Sequence, residues 1–220
     1  MKKFVYLIIS IINAVITAIY IALSPNNIIP SHYNTQGIAD AYSSKWFVMA
    51  IPCVLVVICL IYLIYEVIAD KMHTDRGNRK VVNRIFLSTF LTFAILFWYL
   101  TIVCVNSVNM LNVTSFVNLV VVFLGVIIAV TSDVFPKLKQ NNYVGFRTAS
   151  TLSDEKVWKK THKIGGYCGV IGGIVTAIIG LAGLILRINC EIVLISGVAV
   201  ILISTVLIPL IYSSSISKTK

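Results

Sequence analysis

Acid is scarce in this sequence. Eight aspartates and glutamates stand against 18 lysines and arginines, and charged residues of either sign make up only 12% of the chain, about half the share found in soluble globular domains. With 58% hydrophobic residues and a mean hydropathy of +0.94, a water-soluble domain is excluded. Catalytic signatures are absent too. No Gly-x-Ser-x-Gly, His-Glu-x-x-His, Walker A or dinucleotide-binding glycine pattern occurs, so an enzyme is not expected and no cofactor is called for. The five cysteines, Cys53, Cys59, Cys104, Cys168 and Cys190, fall in no Cys-x-x-Cys spacing, which removes the common zinc and redox motifs.

What the chain does have is apolar length. Crossing a bilayer takes about 20 apolar residues, and six runs qualify: Phe4 to Leu23, Trp46 to Ala69, Ile85 to Val105, Val113 to Phe135, Ile164 to Leu186, and Ile192 to Tyr212. The expected fold class is therefore all-α, a polytopic membrane helical bundle. Three parts are expected: residues 1–70, a two-span unit with an outer loop at 24–45; residues 71–135, spans three and four; and residues 136–220, spans five and six with the polar stretch before them. The N-terminal Met-Lys-Lys before an apolar run reads as a retained anchor, because no small-residue cleavage site follows it.

The formal charge of +10 is explained by where the cations fall. Lys2 and Lys3, the five between 71 and 84, the seven between 137 and 163, and Lys218 and Lys220 share one side of an alternating six-span path; only Lys45 and Arg187 lie on the other. The positive-inside rule then puts both termini and the long polar stretch in the cytoplasm. Cys104 and Cys190 fall near the outer ends of their spans, which leaves two readings open: an extracytoplasmic disulfide, or two small apolar side chains.

The polar stretch runs from Gln140 to Gly166, QNNYVGFRTASTLSDEKVWKKTHKIGG. Gly145 predicts a turn. A helix is expected after it, capped by Thr151 or Ser153, with Asp154 and Glu155 in its first turn, where carboxylates meet unpaired N–H groups. At 100° per residue, Val157, Trp158, Thr161 and Ile164 share one face, and Lys156, Lys159, Lys160 and Lys163 share the opposite one. That pattern predicts an amphipathic interfacial helix before the fifth span. Its lysines are either a solvated, positive-inside face or a partner-binding surface.

Along the rest of the chain, Pro25, Pro30 and Gly37 exclude a long helix through the outer loop, Ser24 to Trp46. His32, Asn34 and Asp40 suggest either metal ligands or, as is more usual for one histidine and a distant aspartate, a structural hydrogen-bonded pair. Pro52 marks a kink point in span two, and Pro209 lies near the inner end of span six. Glu66 and Asp133 are the acids closest to hydrocarbon, where charge is costly and usually paired; Arg84 and Arg147 are the candidate partners, and interfacial water is the alternative, more so for Glu66. In span five, Gly165, Gly169, Gly173 and Ala177 form one row, and Gly172, Thr176 and Gly180 a second, so two sides offer flat backbone to neighbouring helices. Isolated mid-span amides, Asn13 and Asn118, make a poor polar pathway, yet a small solute or ion carrier remains the alternative function.

The order Gly-x-Arg-Thr, Thr-Leu-x-x-Glu, Trp, then a glycine-rich span resembles the signature of the SdpI family of bacterial membrane proteins. Asn141, Gly145, Arg147, Thr148, Thr151, Leu152, Glu155 and Trp158 carry it. Ala149 and Ser150 stand where the family pattern has Pro-Trp, which implies a looser turn. The outer loop, through Pro30, His32, Asn34, Gly37 and Asp40, resembles a domain of unknown function, DUF1648, that often precedes the motif. The resemblance implies a plasma-membrane immunity and signalling protein that protects its cell from a secreted peptide toxin and, in some members, holds a transcriptional repressor at the membrane. It further implies partner binding by the motif residues with Lys156, Lys159 and Lys160, and a toxin-facing role for the outer loop.

Overall fold

In the computed structural model of the chain, residues 4–34, 38–72, 75–106 and 112–218 are described. The order is α1 (Val5–Leu23), β1 (Ile28–Tyr33), β2 (Ala39–Ser44), a 3-10 turn (Lys45–Met49), α2 (Ala50–Lys71), α3 (Arg76–Val105), α4 (Val113–Ser132), a 3-10 turn (Phe135–Lys137), α5 (Ala149–Ser153), α6 (Glu155–Leu186), α7 (Cys190–Leu202), a π-helical turn (Ile203–Leu207) and α8 (Ile208–Lys218). Six helical stretches are long and apolar enough to cross a membrane: Val5–Leu23, Lys45–Lys71, Arg76–Val105, Val113–Lys137, Glu155–Leu186 and Cys190–Ser217. The all-α polytopic class expected from the sequence is the one found.

The chain packs as two compact units. The first holds residues 1–74 and 90–113. Its α1 and α2 pack together, and the lone amide of α1 finds a partner there, Trp98 Nε1 donating to Asn13 Oδ1 at 2.7 Å. Among its described residues the outer loop holds no long helix, as its prolines and glycine predict. It forms a two-stranded antiparallel hairpin, with Ile28 opposite Ser44 and Ile29 opposite Ser43, and its register shifts between Pro30 and His32 and again before Tyr33. Pro30 is tolerated because an edge position with a bulge does not need its missing N–H. Ile29 is fully buried with Ile21, Val48 and Val105, which ties the hairpin to the helices beneath it. Lys45 adds a second tie, its ammonium donating to the carbonyls of Ala22 (3.3 Å) and Ser24 (2.9 Å) at the end of α1, where the helix dipole favours a cation. Pro52 lies in the first turn of an unbroken α2, where a proline needs no intrahelical partner.

The second unit holds residues 75–89 and 114–220, and α6 is its axis. Lipid gives helices no hydrophobic drive to associate, so close backbone approach must supply the contact. Both predicted glycine rows provide it. A Cβ on Gly173 would strike the backbone of Ala129, and one on Gly125 of α4 would strike that of Ala177; Gly169 lies against Ser132, Gly172 against Ser204, and Gly180 against Val122. The sixth span passes through its π-helical turn just before Pro209, a ring that supplies no N–H and would clash with the preceding turn's carbonyl in a regular helix. Each of the five cysteines is a free thiol, with Cys104 in the first unit and Cys190 in the second.

Candidate functional site

The polar stretch of the second unit is closed on itself by its own side chains. Asn141 uses its whole amide: Oδ1 accepts from the N–H groups of Tyr143 and Val144, both at 2.8 Å, while Nδ2 donates to the carbonyls of Lys139 (2.8 Å) and Val144 (3.2 Å). This turn delivers the chain to Gly145, whose φ of +121° only glycine adopts readily and whose missing Cβ leaves room for the ring of His162. The predicted turn is there. Thr148 and Thr151 then cap α5 reciprocally, each hydroxyl accepting the other's N–H, and buried Thr151 donates to the Phe146 carbonyl at 2.6 Å. Gln140 closes the far side, donating at 2.8 Å to the carbonyls of Thr151 and Leu152. The reciprocal capping bonds of α5 come from Thr148 and Thr151 and not from Ala149 and Ser150.

The helix start differs from expectation as well. Thr151 and Ser153 belong to the separate turn α5, and Asp154, extended at φ −140°, caps α6 by accepting from the N–H groups of Lys156 (2.7 Å) and Val157 (3.3 Å). From there α6 runs unbroken to Leu186. The predicted amphipathic helix is thus the first two turns of the fifth span. Its apolar face is also used differently from an interfacial helix, since Val157, Trp158 and Thr161 are buried against protein. Trp158 packs with Val81, Val134 and Leu138, and its indole N–H donates to the Leu138 carbonyl at 2.9 Å. Burying so large a ring contributes roughly 3 kcal/mol.

A third element closes the clasp. Asn78, in the first turn of α3, exchanges two bonds with the backbone of Lys139, donating to its carbonyl (3.1 Å) and accepting from its N–H (2.8 Å). Asp75 caps that turn through the N–H groups of Gly77 and Asn78 and pairs with the Lys139 ammonium at 2.9 Å. Chiefly that hydrogen bond from Lys139 holds the Asp75 carboxyl below the usual carboxylate range.

The predicted site residues therefore separate into two sets. Asn141, Gly145, Thr148, Thr151 and Trp158 serve the clasp itself. Arg147, Glu155, Lys156, Lys159 and Lys160 are exposed, with Glu155 and Lys159 paired at 2.8 Å. Arg147 does not hold Asp133: Arg84 (3.4 Å) and Lys137 (3.5 Å) do, and among the described residues Arg147 has no ion-pair partner. The expected order of the two acids is reversed, because Asp133 is about half exposed while Glu66 is buried and accepts from Tyr62 at 3.2 Å. In the first unit, His32 Nδ1 and Asp40 Oδ1 lie 2.6 Å apart on the exposed hairpin, the structural pair rather than the metal site of the two readings, and no metal-ligating group of three is found among the described residues. Asn34 accepts from the Ile38 N–H at 2.9 Å, Pro30 is buried beside Ile29, and Gly37 lies outside the described residues.

Several participants were missed from the sequence, among them His162, Gln140, Asn78 and the Asp75–Lys139 pair. His162 had a signal, a polar ring four residues after Trp158 on the otherwise apolar face; Gln140 and Asn78 had none, and Asn78 is 61 residues from the backbone it holds.

Residues 137–213 match the model of the SdpI/YfhL protein family, and residues 8–56 match a domain of unknown function, DUF1648. No curated protein and no solved structure matches the chain.

Proposed function

Because residues 137–213 form an SdpI/YfhL segment, we propose that this multi-pass bacterial membrane protein is an immunity and signal-transducing protein, which protects its cell from a secreted peptide toxin and holds a transcriptional repressor at the membrane. The observation that carries this reading is the continuity of α6. One unbroken helix bears the basic face at Lys156, Lys159 and Lys160 and the glycine rows packed against α4 and the sixth span. A change in packing along the span would therefore move the basic face with it, since a helix transmits displacement as a rigid element.

The two partners are assigned to opposite sides. The cation asymmetry puts the clasp in the cytoplasm, where a repressor would meet Arg147 and the lysines; the hairpin at 28–44, with His32, Asn34 and Asp40, faces the arriving toxin. A single cysteine replacing Ser153 should be shielded from an impermeant thiol reagent in intact cells, and one replacing Ser31 should react, both in a background without native cysteines. The opposite labelling overturns the orientation.

Protection and capture should then separate. Changing Lys156, Lys159 and Lys160 to Gln removes three charges, each worth about 1 kcal/mol near an anionic surface, while the buried Trp158 keeps the clasp closed. Recruitment of a fluorescent repressor should weaken with survival under toxin retained; His32, Asn34 and Asp40 to Ala should do the reverse. If neither activity responds in either variant at normal abundance, the immunity reading fails.

A further inference from the structure

His162 is fully buried and holds two elements together through its two ring nitrogens. Nδ1 lies 2.9 Å from the Trp158 carbonyl, and Nε2 accepts the Phe146 N–H at 2.9 Å. A carbonyl can only accept and a backbone N–H can only donate, so Nδ1 carries the proton and Nε2 presents its lone pair. The ring is neutral. It stacks on Trp158 with centroids 4.0 Å apart at 20°, and the Phe146 ring, 5.3 Å away, packs against it on another side. Gly145 has no Cβ where the imidazole sits.

We propose that His162 is an acid-sensitive latch, whose neutral imidazole fastens the 145–148 turn to α6 and whose protonation releases that turn. An imidazolium has two donors and no acceptor, so protonation sets Nε2–H against the Phe146 N–H and leaves a buried cation with no compensating anion. The Trp158 carbonyl and the faces of Trp158 and Phe146 favour the charge in part, but burial and the lost acceptor outweigh them. The charged groups around the ring point to solvent: Glu155, Lys156, Lys159, Lys160 and Lys163 on α6, Asp133, Lys137 and Lys139 before the turn, and Arg147 in it, while α8 bears no charge before Lys218. The proton therefore binds the open form in preference to the closed one. A histidine free in solution titrates near pH 6.5, so the ratio of open to closed turns rises as pH falls below that value, by up to about tenfold per pH unit for one proton. The inference rests on this geometry and not on the immunity reading, and it makes the position of Arg147 relative to α6 depend on the acidity of the solution that bathes the clasp.

The full-length protein in liposomes tests it directly. With Trp46 and Trp98 replaced by Phe, Trp158 becomes the sole indole, and protonation of the ring stacked on it should change its emission in a one-proton titration between pH 7.5 and 4.5. The titration should vanish in His162→Gln, whose amide can keep both bonds without ionising. A separate arm uses wild-type His162: a cysteine replacing Val144, half-buried against the Trp158 cluster in the closed form, in a cysteine-free background, should react with a water-soluble thiol reagent faster at pH 5 than at pH 7, after correction for the thiolate fraction, by tenfold or more. A pH-independent corrected rate in that arm overturns the latch even if His162→Gln fails to fold. So does an emission titration that persists in His162→Gln.

Discussion

Two of the polar stretches that interrupt the apolar runs of this chain are built on opposite plans. In the 28–44 hairpin the backbone carries the order: the strands pair along the ladder, Ile29 and the adjoining Lys45 anchor them, and the polar groups His32 and Asp40 meet each other on an exposed surface. In the 137–166 clasp the backbone forms no sheet, and side chains carry the order instead. Asn141, Thr148, Thr151, Gln140, Asn78 and His162 each bond a main-chain group that would otherwise be left without a partner. Polar composition thus says little about what a loop offers to a partner. In the hairpin His32 and Asp40 stay on the exposed surface, paired with each other, whereas in the clasp most polar side chains are consumed by main-chain groups and the lysines, Arg147 and Glu155 face outward.

That contrast predicts unequal sensitivity to mutation, read by thermal unfolding of the detergent-solubilised protein. Trp158→Ala should be the most damaging, because it removes a fully buried ring and leaves the Leu138 carbonyl unpaired; a loss of about 3–5 kcal/mol is expected. A loss under 1 kcal/mol would show that the clasp does not depend on its core. Gly145→Ala comes next. It combines a positive φ with displacement of His162, about 1–3 kcal/mol from the backbone alone, and should expose the 140–155 segment to protease. Asn78→Ala breaks both bonds to Lys139, leaving the Lys139 N–H without that acceptor while the Lys139 carbonyl keeps Asn141, at about 1 kcal/mol. Equal stability in Asn78→Leu would place the effect in packing rather than in the bonds.

The ion pair at the clasp's edge should matter less, and its pH dependence has a defined sign. The Asp75 carboxyl is held below the usual carboxylate range by Lys139, so its contribution is present above the ordinary aspartate titration and fades as pH falls through the lowered value. Unfolding followed from pH 5 to pH 2.5 should show a small loss in the wild type that Asp75→Asn lacks; identical profiles would dismiss the pair. Smallest of all should be the hairpin pair. His32→Ala or Asp40→Asn should change stability by no more than about 1 kcal/mol, as exposed ion pairs do, and a larger effect would mean that the hairpin is held by side chains after all.

Six spans follow from the sequence alone, because lipid demands that each crossing segment satisfy its backbone within a helix and composition must comply. The helices of spans three and five nevertheless begin nine residues before the apolar runs do, at Arg76 and Glu155 rather than Ile85 and Ile164. The turn at Gly145 and both packing rows of span five were legible for a similar reason, since absence of a Cβ is a local property that leaves few alternatives. Tertiary structure decided which polar residues are free. Trp158 reads equally well as a membrane anchor or a core residue until Leu138 and Val81 are placed around it; Asp133 could have met either arginine until Arg84 and Lys137 were brought to it; and α6 could have broken before Ile164 had the 137–148 segment not buried its first turns. Hydrogen bonds between groups 16 to 61 residues apart, such as His162 to Phe146 and Asn78 to Lys139, leave no local periodicity to read, because their geometry exists only once the chain has folded.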